Sequence, residues 1–123
     1  FSLLLTKIVY GPTEQLPKMV WAIGPPALEA GETPKELTQL YKDIHKRLAQ
    51  SKALHFIPEK RPFSLHITLA SLHDTAFRML EPEERPIMQE EINLETLVSS
   101  FEVMESKLNP GGALYDIVES IPL

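Results

Sequence analysis

The sequence predicts an α+β fold in which a mainly antiparallel sheet packs against one long helix. Apolar and β-branched segments typical of strands lie on both sides of a single strongly amphipathic segment. The 11 prolines and 5 glycines separate these segments sharply. A chain of 123 residues fits one domain, assigned to residues 1–123, with the element order β-β-α-β-irregular-β-β.

Two strands are predicted before the helix. Phe1 to Tyr10 is mostly apolar and becomes β-branched towards its end, which is typical of a strand. Gly11 to Pro17 contains two prolines and is expected to form a loop. Lys18 to Gly24 carries apolar residues on both faces, which indicates a strand in the centre of its sheet.

The helix has the clearest local signal in the chain. Thr33 can act as N-cap, Pro34 suits the first helical position, and Glu36 completes a capping box. The helix is expected to end near Ser51. An apolar stripe with helical spacing should face the sheet, while the basic residues should form a solvated face. The stripe consists of Leu37, Leu40, Tyr41, Ile44 and Leu48.

The remaining elements follow a proline-containing connector. Ser64 to Leu72 is predicted to be a strand, whereas residues 73–86 should be irregular, with at most a helical turn at Ala76–Leu80. Residues 86–93 receive no assignment. Leu94 to Leu108 is predicted to contain a strand, best supported at Ser99–Lys107, and Ala113–Ile121 is predicted to be the last strand. The turn between them, at residues 109–112, is rich in proline and glycine, so the two strands should form a hairpin.

Composition excludes several classes of function. A net charge of −5 argues against tight non-specific nucleic-acid binding, which depends on neutralising phosphates with Lys and Arg. The absence of cysteine excludes thiolate catalysis and cysteine-ligated zinc. No apolar run reaches the roughly 20 residues of a membrane-spanning helix. We therefore expect no membrane association and a cytoplasmic location.

The candidate functional residues are His66 and Thr68 in the strand that begins at Ser64. Successive side chains of a strand point to opposite faces, so His66 and Thr68 share one face with Ala70. Leu65, Ile67 and Leu69 share the other face, which is expected to be buried. An imidazole beside a hydroxyl can hold a small anion or a reacting phosphate, and imidazole can exchange a proton near neutral pH.

Other interpretations of the histidines remain open. A strand histidine beside a threonine is more often structural than catalytic. His45 is expected to lie on the helix surface, and His55 to be structural or exposed. His73-Asp74-Thr75 repeats the H-x-T pattern without an alternating apolar face behind it. The sequence contains no H-x-H or H-E-x-x-H spacing typical of a zinc site, no G-x-S-x-G motif of a serine hydrolase and no P-loop. In-line attack on a phosphodiester also needs a second proton-transfer group, which these residues do not obviously supply.

The chain resembles the 2H phosphoesterases, which carry two H-x-T motifs. Pro62 to Ala70 is similar to the second motif of the LigT-like branch, the RNA 2′,3′-cyclic phosphodiesterases or 2′-5′ RNA ligases. The strands at Phe1–Tyr10 and Pro17–Gly24 resemble the pair that precedes the helix of the second lobe. Ser100–Leu108 and Gly112–Tyr115 resemble the family's C-terminal strands.

The resemblance implies a bilobal fold of antiparallel sheets with packed helices, here incomplete, because the first H-x-T motif would precede Phe1. It implies acid–base catalysis by two histidines without a metal or other cofactor. Of the family's functional residues, only His66 and Thr68 are matched in this chain. The implied partner is RNA or an oligonucleotide with a 2′,3′-cyclic phosphate end, opened to a 2′-phosphate. The intact protein is expected to be a monomer, and the isolated chain to be nearly inactive.

One position in the predicted strand departs from the family pattern. Ser71 occupies a position where LigT-like proteins commonly carry an arginine, which could bind phosphate bidentately. Arg61 or Arg78 could supply that charge.

Two alternatives to a catalytic phosphodiesterase remain. One is a non-catalytic module that binds RNA or nucleotide phosphate, and the other is a homodimer in which two His66 strands face each other. An unpaired sheet edge with exposed apolar residues is expected.

Overall fold

The computed structural model describes residues 1–25, 34–60, 63–88 and 90–123. Thr33 and Arg61, which the sequence analysis singled out, lie outside the described residues. The described strands and helices, in chain order, are β1 Ser2–Gly11, β2 Met19–Ile23, α1 Lys35–Gln50, β3 His66–Ser71, α2 Thr75–Met79, a 3₁₀ helix Pro82–Glu84, β4 Glu90–Leu97, β5 Ser100–Asn109 and β6 Gly112–Pro122.

Four strands form one antiparallel sheet in the order β3-β2-β1-β4. Strand β2 therefore has a neighbour on each side, which confirms the prediction of a central strand from its two apolar faces. Strands β5 and β6 form a separate two-stranded antiparallel hairpin. The prediction of an α+β fold with antiparallel sheets is confirmed.

Helix α1 matches its predicted length and end. It begins at Lys35, after Pro34, and ends at Gln50, with Ser51 as its C-cap. Each residue of the predicted apolar stripe is half-buried, whereas Lys35, Lys42, Lys46 and Arg47 are exposed. The sequence pattern therefore identified the covered and solvated faces of this helix. The predicted capping box cannot be described, because it depends on Thr33.

Strand β4 is the element that the sequence analysis missed. It occupies Glu90–Leu97, so its first four residues have no assignment from the sequence and its last four belong to the Leu94–Leu108 segment, whose strand was best supported only from Ser99. Its three glutamates are poor strand formers. Pairing with β1 overrides this preference, with Leu5 opposite Leu94 and Ser2 opposite Leu97. An irregularity between Leu5 and Lys7 also breaks the alternation that would have revealed the strand.

The sheet buries its centre and leaves its edge and the hairpin exposed. Leu5 on β1 and Ala22 on β2 are only 2% and 3% exposed. The hairpin turn contains Gly112 at φ 122°, in the left-handed region that favours glycine. Along the hairpin, apolar side chains such as Leu108 and Ile117 face solvent. Among the described residues, no helix is long and apolar enough to span a membrane.

Arg85 connects the β1–β2 loop to the segment that follows β3. Its guanidinium is buried and donates to the backbone oxygens of Glu14 at 2.6 Å and Gln15 at 3.2 Å. It also donates to the carbonyl of Leu80 at 2.6 Å, while its Nε has no hydrogen-bond partner. Because one side chain binds two loops that are about 70 residues apart in sequence, it restrains both relative to the sheet.

Candidate functional site

Strand β3 presents His66 and Thr68 at the edge of the four-stranded sheet. His66 pairs with Ile23 and Thr68 pairs with Trp21 on the adjacent strand β2. All six residues of β3 are exposed, so both candidate side chains are accessible to a ligand. Their two-residue spacing within one strand places them on a common face, as the alternation predicted.

The opposite face of β3 is less covered than we predicted. Leu65 is half-buried against Gly24, but Ile67 is 46% exposed and Leu69 is 53% exposed. The expectation that these three residues form a buried face is therefore wrong for Ile67 and Leu69. Strand β3 has a partner on one side only, and the register shifts between Val20 and Trp21, where Leu69 is the extra residue.

A backbone hydrogen bond determines which nitrogen of His66 is available. Nδ1 of His66 lies 2.9 Å from the carbonyl oxygen of Ser64. Because a carbonyl oxygen only accepts, Nδ1 must carry the hydrogen. In the neutral ring Nε2 then holds the free lone pair and can take up a proton. The local backbone thus prepares His66 for proton exchange through Nε2.

Two side chains of β2 lie against this pair. The indole of Trp21 stacks on the imidazole of His66, with ring centroids 4.2 Å apart and an interplanar angle of 27°. Sδ of Met19 accepts from Nε1 of Trp21 at 3.4 Å and lies 3.9 Å from Oγ1 of Thr68. Because sulfur is a weak acceptor, the Thr68 hydroxyl can exchange this contact for a phosphate oxygen.

Gly11 on β1 approaches Trp21 from the other side of β2. A Cβ built on Gly11 would lie 2.5 Å from Cε3 and 2.7 Å from Cε2 of the indole, closer than such atoms can approach. The indole therefore lies between the backbone of Gly11 and the ring of His66. Three adjacent strands thus fix the orientation of the histidine.

A cavity of about 470 Å³ opens beside His66. Its apolar lining comes from Pro12, Met19, Trp21, Tyr41 and Phe63, and its polar lining from Glu59, Ser64 and His66. The rings of Tyr41 on α1 and Phe63 in the connector contact each other, with centroids 4.7 Å apart. The helix and the sheet therefore form two walls of one space next to the candidate site.

The other histidines are not brought to this cavity. His45 is half-buried, with its ring 4.0 Å from that of Tyr41 and 5.2 Å from that of Phe56, so it has a packing role that the surface assignment missed. His55 is exposed, in agreement with the prediction. His73 and Thr75 do not lie in a strand, because Asp74 caps α2 by accepting from the backbone N–H of Ala76 at 2.8 Å.

The charges near the site are sparse in the described chain. No arginine or lysine lines the cavity among the described residues. Ser71, which replaces the arginine expected from the resemblance, ends β3 opposite Met19. Among the described residues, no group of three His, Asp or Glu side chains is arranged to hold a metal ion. Phosphate would thus meet hydroxyl and imidazole groups here.

Trp21, Tyr41 and Phe63 are the site residues that reasoning from sequence did not identify. Trp21 was assigned only to a central strand and Tyr41 only to the apolar stripe of the helix. The sequence offered two weak signals. Phe63 lies three residues before His66, and Trp21 is the only tryptophan of the chain. Their meeting depends on the β2–β3 register and on the position of α1.

These features define an α+β protein whose edge strand presents an H-x-T pair beside an aromatic cavity. The family model of the LigT-like phosphoesterases matches residues 28–115, which is most of the chain and includes β3. The chain belongs to the LigT-like phosphoesterase family. The prediction of this family from the H-x-T strand and its flanks is confirmed.

Comparison with solved structures agrees on the fold. The crystal structure of TT0787 of Thermus thermophilus matches with a TM-score of 0.68 and 23% sequence identity. The match covers 100% of this chain and 60% of that chain, so the 123 residues span about three fifths of the length of that structure. No curated protein matches the chain significantly.

Proposed function

We propose that the protein carrying this chain hydrolyses RNA 2′,3′-cyclic phosphates to 2′-phosphates. Water attacks the phosphorus, the bond from phosphorus to the 3′ oxygen breaks, and the 2′ ester remains. One general base takes the proton of the water and one general acid protonates the departing 3′ oxygen. His66 supplies one of these two functions through Nε2, and the Thr68 hydroxyl donates to a phosphate oxygen.

The observation that carries the proposal is the hydrogen bond from Nδ1 of His66 to the carbonyl of Ser64 in an H-x-T strand of a phosphoesterase. It leaves Nε2 as the proton-exchanging atom, next to an accessible hydroxyl. A purely structural histidine would not require this free nitrogen on an exposed face. The second proton-transfer group is assigned to another H-x-T segment of the complete protein, since His73-Asp74-Thr75 forms a helix start.

The test is hydrolysis of a 2′,3′-cyclic nucleotide or oligonucleotide by the complete protein. His66→Ala should lower the rate by about 10²–10⁴, the usual contribution of a general acid or base. His55→Ala is the matched control, because His55 is exposed in the connector and should leave the rate unchanged. An unchanged rate in His66→Ala would contradict the proposal.

The second candidate is a non-catalytic module that binds nucleotide phosphate. Ser71 favours it, because serine cannot replace the charge of an arginine in stabilising a phosphate transition state. In this case the complete protein would bind a 2′,3′-cyclic nucleotide without releasing a 2′-phosphate. Product analysis in the hydrolysis experiment separates the two candidates.

A further inference from the structure

We propose that Met19 is an oxidation-sensitive site, at which a peroxide converts the thioether to a sulfoxide and thereby lowers the activity of the H-x-T pair. The effect on activity rests on the proposed function, because it requires that the Thr68 hydroxyl donates to a phosphate oxygen. The oxidation itself, and its effect on the hydrogen bond between Met19 and Trp21, do not depend on that function.

The sulfur of Met19 contacts groups that act on both members of the H-x-T pair. Sδ accepts from Nε1 of Trp21 at 3.4 Å, and the indole of Trp21 stacks on the ring of His66. Oγ1 of Thr68 donates to the same sulfur at 3.9 Å. A thioether is a weak acceptor, so the Thr68 hydroxyl remains free to turn to a stronger one while the sulfur is reduced.

Met19 is accessible to a small oxidant. The side chain is half-buried and lines the cavity of about 470 Å³, which hydrogen peroxide can enter. A lone pair of the sulfur attacks one peroxide oxygen, the O–O bond breaks, and the departing hydroxide takes up a proton to give water. The sulfur gains one oxygen and loses two electrons to the peroxide. Two thiols of a methionine sulfoxide reductase reverse the step and leave as a disulfide, with release of water.

The added oxygen takes the place of a sulfur lone pair, which the two donors approach. An N–H···O hydrogen bond needs about 2.7–3.2 Å between nitrogen and oxygen, so no oxygen fits within the 3.4 Å between Sδ and Nε1 unless the indole moves. Such a movement would remove the stacking support of His66. The 3.9 Å between Sδ and Oγ1 leaves more room, and there the sulfoxide oxygen would accept from Thr68 more strongly than sulfur does. Either arrangement impairs one member of the H-x-T pair.

Hydrolysis of a 2′,3′-cyclic nucleotide by the complete protein, before and after treatment with hydrogen peroxide, tests the effect on activity. Once peptide mass spectrometry shows the sulfoxide at Met19, kcat/KM should be about 2- to 10-fold lower, the equivalent of one neutral hydrogen bond. A methionine sulfoxide reductase should restore it. Met19→Leu should keep its own untreated rate after peroxide, whereas Met79→Leu is the control that should lose as much as the wild type, because Met79 is 78% exposed on α2. Equal losses in Met19→Leu and the wild type would overturn the inference.

The indole N–H resonance of Trp21, assigned by its loss in Trp21→Phe, gives a second measurement that does not require catalysis. Oxidation of Met19 should shift this resonance, because Sδ is the acceptor of the indole N–H. Peroxide should leave it unchanged in Met19→Leu. An unshifted resonance in wild-type protein with Met19 fully oxidised would refute the inference while the proposed function stands. If His66→Ala leaves hydrolysis unchanged but the resonance shifts, the catalytic assignment is wrong and the oxidation-sensitive site remains.

Discussion

Replacement of Gly11 by alanine tests how the histidine is held in place. Gly11 is buried at the end of β1, where it pairs with Met19. A new Cβ would lie 2.5 Å from Cε3 and 2.7 Å from Cε2 of the Trp21 indole, so the ring or the strand must move. Because the indole also stacks on the ring of His66, with ring centroids 4.2 Å apart, this movement would reach the candidate catalytic residue.

Two effects of opposite sign determine the magnitude. Among the described glycines only Gly112 has a positive φ, so the backbone at Gly11 can accommodate alanine. Alanine there restricts the unfolded chain, which would stabilise the folded protein by about 0.4–1 kcal/mol. Overpacking against a buried group costs about 1–3 kcal/mol. A rigid indole cannot give way as a flexible side-chain end can, so the upper part of that range applies. The net expectation is a loss of about 1–2.5 kcal/mol in the free energy of unfolding.

Urea denaturation followed by circular dichroism and by Trp21 fluorescence measures both parts of this expectation. Gly11→Ala should shift the midpoint to lower urea and change the emission of the native state. Gly111→Ala is the control, because a Cβ there has nothing within 4 Å. Its stability should stay within about 0.5 kcal/mol of the wild type.

The steric explanation can be refuted in two ways. A Gly11→Ala variant as stable as the wild type, with unchanged native emission, would show that the indole is not held against Gly11. A double-mutant cycle with Trp21→Leu, followed by circular dichroism, gives the second test. The cost of Gly11→Ala should fall in that background, and an unchanged cost would mean that the effect does not arise from the indole.

The remaining predictions concern the loops and the hairpin. Arg85→Met should destabilise the protein by about 2–4 kcal/mol in urea denaturation, because several backbone carbonyls lose the charged donor that the buried guanidinium supplies. Arg85→Lys should recover only part of this loss, since an ammonium group cannot bind two loops in the fork geometry of a guanidinium. Gly112→Ala should weaken the hairpin by about 1–3 kcal/mol because of its φ of 122°, measured by amide exchange, with Gly111→Ala near the wild type. Wild-type protection in Gly112→Ala, or wild-type stability in Arg85→Met, would contradict these accounts.

Much of the fold could be predicted because the relevant forces act between near neighbours in the chain. The spacing of Leu37, Leu40 and Ile44 predicted the covered face of α1, and these residues are half-buried. The turn around Gly111 and Gly112 predicted the hairpin, whose strands pair from Asn109 opposite Gly112. Helical periodicity and turn conformation need no knowledge of distant residues.

Features that depend on distant pairing were missed or misjudged. Strand β4 was not predicted as a separate strand, because glutamates at positions 90, 91 and 95 disfavour a strand until β1 pairs with it. The apolar face of β3 was expected to be buried, yet Ile67 and Leu69 are exposed because the strand has a neighbour on one side only. The importance of Arg85 was also hidden, since its hydrogen bonds reach residues 70 and 71 positions away.

The sequence by itself determined the H-x-T pair and the family. Alternation within one strand places His66 and Thr68 on a common face, and this local geometry holds whatever surrounds the strand. The tertiary structure decided how that pair is supported and what adjoins it. Trp21 stacks on His66, and Tyr41 and Phe63 form the wall of the neighbouring cavity, because strand pairing and helix position join segments that are far apart in the chain.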